Sequence, residues 1–184
     1  MQTNNLTFKI AVIGTEPREG KTAFIRRNVH GDFSAKYTPT IGVEVHPLLF
    51  HVAFGDGREG TIAFNMWDCG SDPKYIGLRE GYWIGANAAL VFQTKTSSKA
   101  ATEALIDEFR VLTKAPAHVI LNKVDISGSK KDIASNADEA TQVSVKTGYN
   151  FERPFLLLAR ALTGCPDLVF IVGPNTYANI EFPQ

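Results

Sequence analysis

An apolar stretch, residues 6–13, runs directly into Gly14-Thr15-Glu16-Pro17-Arg18-Glu19-Gly20-Lys21-Thr22, and a helical pattern over 21–29 follows. No other feature constrains the chain as much. A strand ending in a glycine-bounded loop that opens a helix with Gly-Lys-Thr is the local context of a phosphate-binding loop. Backbone N–H groups at a helix N-terminus point at anions, and the helix dipole adds to them. Gly14 and Gly20 bound the loop, Lys21 would neutralise phosphate, and Thr22 would offer a hydroxyl to Mg2+. The stretch also departs from the pattern. Five residues separate the glycines where four are usual, Glu16 and Glu19 bring negative charge, and Pro17 has no N–H to give. Taken alone, it also fits an ordinary strand–turn–helix with a solvated lysine.

Further strands are expected at 43–54 and 61–67, joined by Gly55-Asp56-Gly57-Arg58-Glu59-Gly60, which reads as a hairpin tip. Residues 88–92 and 117–121 are unalternated apolar runs, suited to strands covered on both faces of a parallel sheet. Val143 lies in a weaker candidate. Helices are expected over 99–113 and 150–163, the latter with Pro154 tolerable only in its first turn. Segment 127–140 is polar and small, and reads as a loop with a short helix. Alternation of strand and helix with one hairpin predicts an α/β sheet with helices on both faces. Ligands in such sheets sit at the carboxyl ends of the strands.

Three further motifs fall near strand ends. Asp68 closes the strand 61–67 and could hold Mg2+ through water, although a lone strand-terminating Asp is more often a hydrogen-bond acceptor. Asn122-Lys123-Val124-Asp125 closes the strand 117–121. A carboxylate there accepts from guanine N1–H and the exocyclic amine together, a donor pair that adenine lacks. Asn and Asp are also turn residues. Ser144-Val145-Lys146 could offer N–H groups to guanine O6, and carries little weight by itself. The order carries the argument: phosphate loop, Mg2+ carboxylate, guanine carboxylate and O6 loop occur in sequence, which points to guanine-nucleotide binding.

Composition narrows the classes. The chain has 184 residues, with 19 Lys+Arg against 19 Asp+Glu, and 44% hydrophobic residues. That is one globular domain, 1–184, rather than a disordered chain. Zero net charge gives no sign of a nucleic-acid binder. Cys69 and Cys165 make no disulfide framework, and a reducing compartment is expected. His46 and His51 lie in an expected strand, where packing is favoured over ligation. No apolar run approaches the ~20 residues of a membrane span. The first five residues lack the basic start of a signal peptide. Gln2 stands where myristoylation needs glycine, and residues 180–184 contain no cysteine to prenylate, so no membrane anchor is expected.

With these residues placed, the chain resembles the P-loop NTPases of the Ras superfamily and, within them, the Ran branch of nuclear-transport GTPases. Ile41-Gly42-Val43-Glu44-Val45-His46-Pro47-Leu48 is similar to the segment after Ran's first switch. Gly77-Leu78-Arg79-Glu80-Gly81-Tyr82-Trp83-Ile84 resembles its second switch. Tyr149-Asn150-Phe151-Glu152-Arg153-Pro154-Phe155-Leu156, with Leu158-Ala159-Arg160, resembles its last helix. The resemblance covers roughly residues 8–170. It implies a Ras-like G domain with a mostly parallel six-stranded sheet, one antiparallel hairpin strand and helices on both faces. It implies GTP/GDP and Mg2+ as ligands, with Lys21 and Thr22 on phosphate and metal, Thr40 on Mg2+ and the γ-phosphate, and Asp68 supporting Mg2+. Phe33 is expected beside the base, and Asn122, Lys123, Asp125, Ser144, Val145 and Lys146 around it. Tyr37 matches a switch tyrosine that helps order the catalytic site. A monomer in nucleus and cytoplasm is implied, with importin- and exportin-type receptors and a nucleotide-exchange factor as partners in nucleocytoplasmic transport.

The departures from that family are specific. Its pattern after the metal Asp is Thr-Ala-Gly-Gln-Glu, in which glycine contacts the γ-phosphate and glutamine orients the attacking water. Here the positions read Cys69-Gly70-Ser71-Asp72-Pro73. Ser71 keeps the N–H, and Asp72 stands at the catalytic glutamine's position without an amide to donate. These departures in the phosphate loop and at Ser71 and Asp72 strike the γ-phosphate end, so slow hydrolysis is expected. Residues 126–146 dilute the family's basic cluster, and no acidic extension is expected, so tail-dependent Ran-binding domains are not expected to engage. Two other readings stand beside the switch. One is a pseudo-GTPase scaffold with little or no nucleotide cycling. The other is a small P-loop kinase, which Asn122-Lys123-Val124-Asp125 argues against.

Overall fold

The computed structural model describes residues 4–126 and 140–176. The expected short helix within 127–140, the lysines of the diluted basic cluster at 130 and 131, and the chain end at 180–184 lie outside the described residues. In chain order the elements are β1 (Asn4–Gly14), α1 (Lys21–His30), β2 (Val43–Ala53), β3 (Glu59–Cys69), a 3-10 helix (Pro73–Leu78), α2 (Arg79–Trp83), β4 (Ala88–Gln93), α3 (Lys99–Thr113), β5 (Ala117–Leu121), β6 (Ala140–Gln142), α4 (Arg153–Thr163) and β7 (Val169–Thr176).

One sheet runs β6-β5-β4-β1-β3-β2-β7. All neighbours are parallel except β2, which is antiparallel to both β3 and β7. The single reversed hairpin strand is therefore as expected, but the sheet has seven strands rather than six. The added strand is β7. Its apolar start runs into Gly173-Pro174, which argues against a strand when only the sequence is considered. The open edge of β2 supplies its partner. Two register shifts, between Leu49 and His51 and between His51 and Val52, break the regular ladder. Among the described residues, pairing with β7 covers Leu48 to Ala53.

Successive residues of β1 point to opposite faces, and each face has its own core. Ile10 and Val12 pack with Phe24 and Ile25 of α1 and with Phe155 and Leu158 of α4. Ala11 and Ile13 pack on the other side with Trp83 of α2 and with Leu105, Ile106 and Phe109 of α3. The unalternated apolar character of β4 follows from this two-sided cover: Ala88 to Phe92 are all buried. Ser98 caps α3 by accepting from the Ala101 N–H at 3.3 Å. Proline sits in the first turn of α4, as expected. The parallel strands β1, β3, β4 and β5 all end on the same side of the sheet, where the loops after them meet.

Candidate functional site

The loop after β1 is shaped by its glycines and its neighbours. Gly20 caps α1 at φ 101°, and a Cβ there would lie 2.1 Å from Asn122 Nδ2. Only glycine fits that left-handed, crowded position. The Asn122 side chain is buried and ties two loops together. Its Nδ2 donates to the Glu19 carbonyl at 2.9 Å, and its Oδ1 accepts from the Val145 N–H at 3.1 Å. The first and third nucleotide motifs are thus joined by one carboxamide before any ligand is considered.

The expected Mg2+ residues converge. Thr22 Oγ1 donates to Asp68 Oδ2 at 2.7 Å, and Thr40 Oγ1 lies 2.9 Å from Thr22 Oγ1 and 3.3 Å from Asp68 Oδ2. Asp68 is 0% exposed, and its Oδ1 accepts no hydrogen bond from the protein. Burial pushes its carboxyl above the usual carboxylate range, against the opposing Thr22 hydrogen bond and Lys21 charge. A buried carboxylate oxygen without a partner, beside two hydroxyls, is the oxygen set a hard divalent cation takes. Among the described residues no group of three His, Cys, Asp or Glu side chains could hold a metal by itself. Mg2+ with phosphate and water oxygens completing its shell fits this sparse set.

Lys21 is 6% exposed. Its Nζ donates to Ser71 Oγ at 2.6 Å and to the Glu16 carbonyl at 3.2 Å, with Glu19 Oε2 at 3.7 Å. Burial pulls the ammonium below its ordinary range, opposed by the Glu19 and Asp68 charges. Ser71 Oγ also lies 3.3 Å from the Gly14 carbonyl, bridging the loop to the segment after β3. The backbone of that segment bonds to the stretch leading into β2, where the Gly70 N–H donates to the Gly42 carbonyl at 2.8 Å. Asp72 lines the cavity, and its Oδ1 accepts from the Lys74 N–H at 2.9 Å, so the carboxylate caps the following 3-10 turn.

At the other end of the cavity, fully buried Ser144 donates through Oγ to Asp125 Oδ1 at 2.6 Å. Arg27 of α1 braces the loop that follows, donating to the Val145 carbonyl and, at 2.8 Å, to the Lys146 carbonyl. Phe33 and Tyr37 are 38% and 40% exposed at the rim. The Arg18 guanidinium lies 4.4 Å from the centre of the Tyr37 ring. The cavity has a volume of about 1240 Å3, and its lining includes Gly20, Lys21, Thr22, Phe33, Tyr37, Thr40, Ser71, Asp72, Asn122, Lys123, Asp125, Val145 and Lys146. Gly14, Asp68 and Ser144 stand behind that lining and reach it through Ser71, Thr22 and Asp125.

The family model described as Ras of Complex, Roc, domain of DAPkinase matches residues 9–125 of the 184. The chain belongs to that family. It is a GTP-binding, P-loop small-GTPase domain of the Ras superfamily, and the match is to Roc rather than to the Ran branch suggested by the switch segments. The matched span runs from β1 through Asp125, and so includes the glycine-bounded loop after β1, Thr40 and Asp68.

Several contributors escape a motif reading. Arg27 lies on α1 beyond the Lys21-Thr22 signature, at a position no motif marks, and Ser97 follows β4 in a loop of small polar residues. Both are found only through contacts across 78 or more residues of sequence. Cys69, next to Asp68, is buried, and its thiol is pushed up to about 12, chiefly by burial and then by Asp68. Only the thiolate is reactive. At pH 8 the native protein is therefore expected to leave Cys69 untouched by a thiol reagent such as dithionitrobenzoate, with reaction appearing on unfolding. Rapid labelling of Cys69 in the folded protein, located by peptide mass, would contradict the burial argument.

Proposed function

We propose that this domain is a guanine-nucleotide switch that binds GTP or GDP with Mg2+ and hydrolyses GTP slowly. One observation carries the reading: Lys21, Thr22, Thr40 and Asp68 meet at one end of a single cavity, Asp125 held by Ser144 lines the other, and Asn122 ties the two loops together. A ligand that satisfies both ends has a polyphosphate and a base with adjacent donors. Lys21 neutralises the phosphates, the two threonines and Asp68 would hold Mg2+, and Asp125 accepts from guanine N1–H and the amine. Mg2+ would supply charge neutralisation of the phosphates.

Hydrolysis is slow because the γ-phosphate end is poorly equipped. Phosphoryl transfer depends almost wholly on positioning and charge stabilisation. Asp72 has no amide to donate to water, brings a negative charge, and is already held by the Lys74 N–H. A deficit of about 10²–10³ in rate corresponds to ~2.7–4 kcal/mol of barrier. Single-turnover GTP hydrolysis is expected to be faster in Asp72→Gln than in the wild type. A wild-type rate equal to or above the variant's overturns the assignment of Asp72.

The similarity of segments 41–48, 77–84 and 149–160 to Ran supports receptors of the importin and exportin type as partners and a role in nucleocytoplasmic transport. Retention of an importin-type receptor by the GTP-loaded but not the GDP-loaded protein tests it. The engagement of Lys21 by three protein groups favours a second reading, a pseudo-GTPase scaffold with little or no nucleotide cycling. Chromatography of the nucleotide released from purified protein, with and without EDTA, separates the two. EDTA-released GDP or GTP supports the switch, and a nucleotide-free protein that takes up none supports the scaffold.

A further inference from the structure

Glu19 has no place in the reading above, yet it lies at the heart of the phosphate loop. It is 2% exposed. Its Oε1 accepts from Thr15 Oγ1 at 3.2 Å and from Ser97 Oγ at 2.9 Å. Its Oε2 accepts no hydrogen bond and lies 3.7 Å from Lys21 Nζ. The same Oε2 lies 2.0 Å from where a Cβ on Gly14 would be, so it fills space that only glycine leaves. Ser97 is itself fixed, because its Oγ accepts from the Thr94 N–H at 2.9 Å. The carboxylate is thus clamped from the loop on one side and from the β4–α3 connection on the other.

We propose that Glu19 is a built-in counter-anion of Lys21 that lowers affinity for the nucleotide polyphosphate and speeds its release. This rests on the guanine-nucleotide reading of the cavity. Two effects act in one direction. An incoming phosphate must draw the Lys21 ammonium away from an ion pair and two hydrogen bonds that the protein already provides. Once phosphate is bound, Glu19 stays clamped nearby, and like charges in a buried, low-dielectric site repel strongly. Little salt reaches such a pair, so the effect persists at high ionic strength. Occupancy then follows the free nucleotide concentration, with less need of an exchange factor to open the site.

A merely structural role has the opposite sign. If Glu19 only holds Lys21 in place, removing its charge disorders the lysine and weakens binding. The test is equilibrium titration of the full chain with a fluorescent GDP analogue and Mg2+, together with release of that analogue into excess GDP. Glu19→Gln is expected to tighten binding about tenfold or more and to slow release by a similar factor, in low salt and at about 0.5 M salt alike. Ser97→Ala, which removes one clamp and leaves Lys21 untouched, is expected to shift both in the same direction by about threefold. Unchanged or weaker binding by the variants, with the wild type binding the analogue, overturns the counter-anion and leaves the guanine site standing. No binding by wild type or variants overturns both.

Discussion

Asp125→Ala is expected to lower affinity for guanine nucleotides by about 10²–10⁴-fold and to erase the preference for guanine over adenine. The carboxylate offers two charge-assisted acceptors to a base with two adjacent donors, and each such bond contributes ~1.5–3 kcal/mol. Adenine never made those bonds, so its weak binding changes little, and discrimination falls with them. The variant also strips Ser144 of its acceptor. That hydroxyl is buried and now donates to Asp125 at 2.6 Å, so part of the loss reflects a loosened loop. Asp125→Asn, which keeps the size and one acceptor, separates the two effects. Competition titration of GDP against ADP measures the ratio, and an unaltered guanine preference in the alanine variant would remove Asp125 from the base site.

The second large effect is on folding. Phe155→Ala is expected to cost about 3–5 kcal/mol, the range for emptying a buried aromatic site. In a domain of this length that lowers the melting temperature by roughly 10 °C. The ring is fully buried, with its centre 5.1 Å from Phe24, 5.0 Å from Phe50 and 6.2 Å from Phe64. It joins α4 to α1 and to both strands of the β2–β3 hairpin, so no single neighbour can move in without leaving another. Val111, 70% exposed on α3, is the control, since Val111→Ala is expected to stay within about 0.5 kcal/mol. Thermal and urea unfolding followed by circular dichroism read both. A cost below about 1 kcal/mol for Phe155→Ala would show that the cluster repacks freely.

Local signals served well where neighbours reinforced them. The hairpin, the strands β4 and β5, and the proline in the first turn of α4 all stand as the sequence implied, although only Ile120 of β5 is buried. β7 did not, because a strand at an edge takes its stability from the partner that receives it, and Gly173-Pro174 offers no periodic pattern. The helices Pro73–Leu78 and Arg79–Trp83 are equally hidden in the sequence. They are short, and α2 is held by tertiary contacts: Trp83 is buried on Phe109, and Arg79 is paired with Glu108 of α3. The Ran-like segments led further than the family match supports, since the domain that matches is Roc.

Glu19 shows the division most clearly. In the sequence it is a misplaced negative charge that should repel phosphate. In the fold it is a clamped, buried partner of Lys21, and its bonds come from Thr15 four residues away and Ser97 seventy-eight away. By itself the sequence determined the chemistry: a lysine and threonine at a helix start, an aspartate at a strand end, an Asn and Asp at another, in the order that a guanine nucleotide requires. Those signals survive because backbone geometry at strand ends is local. Which of those groups are already engaged with one another was decided by the tertiary structure alone, because a charge is weighed by its burial and partners, and those are set by residues distant in the chain.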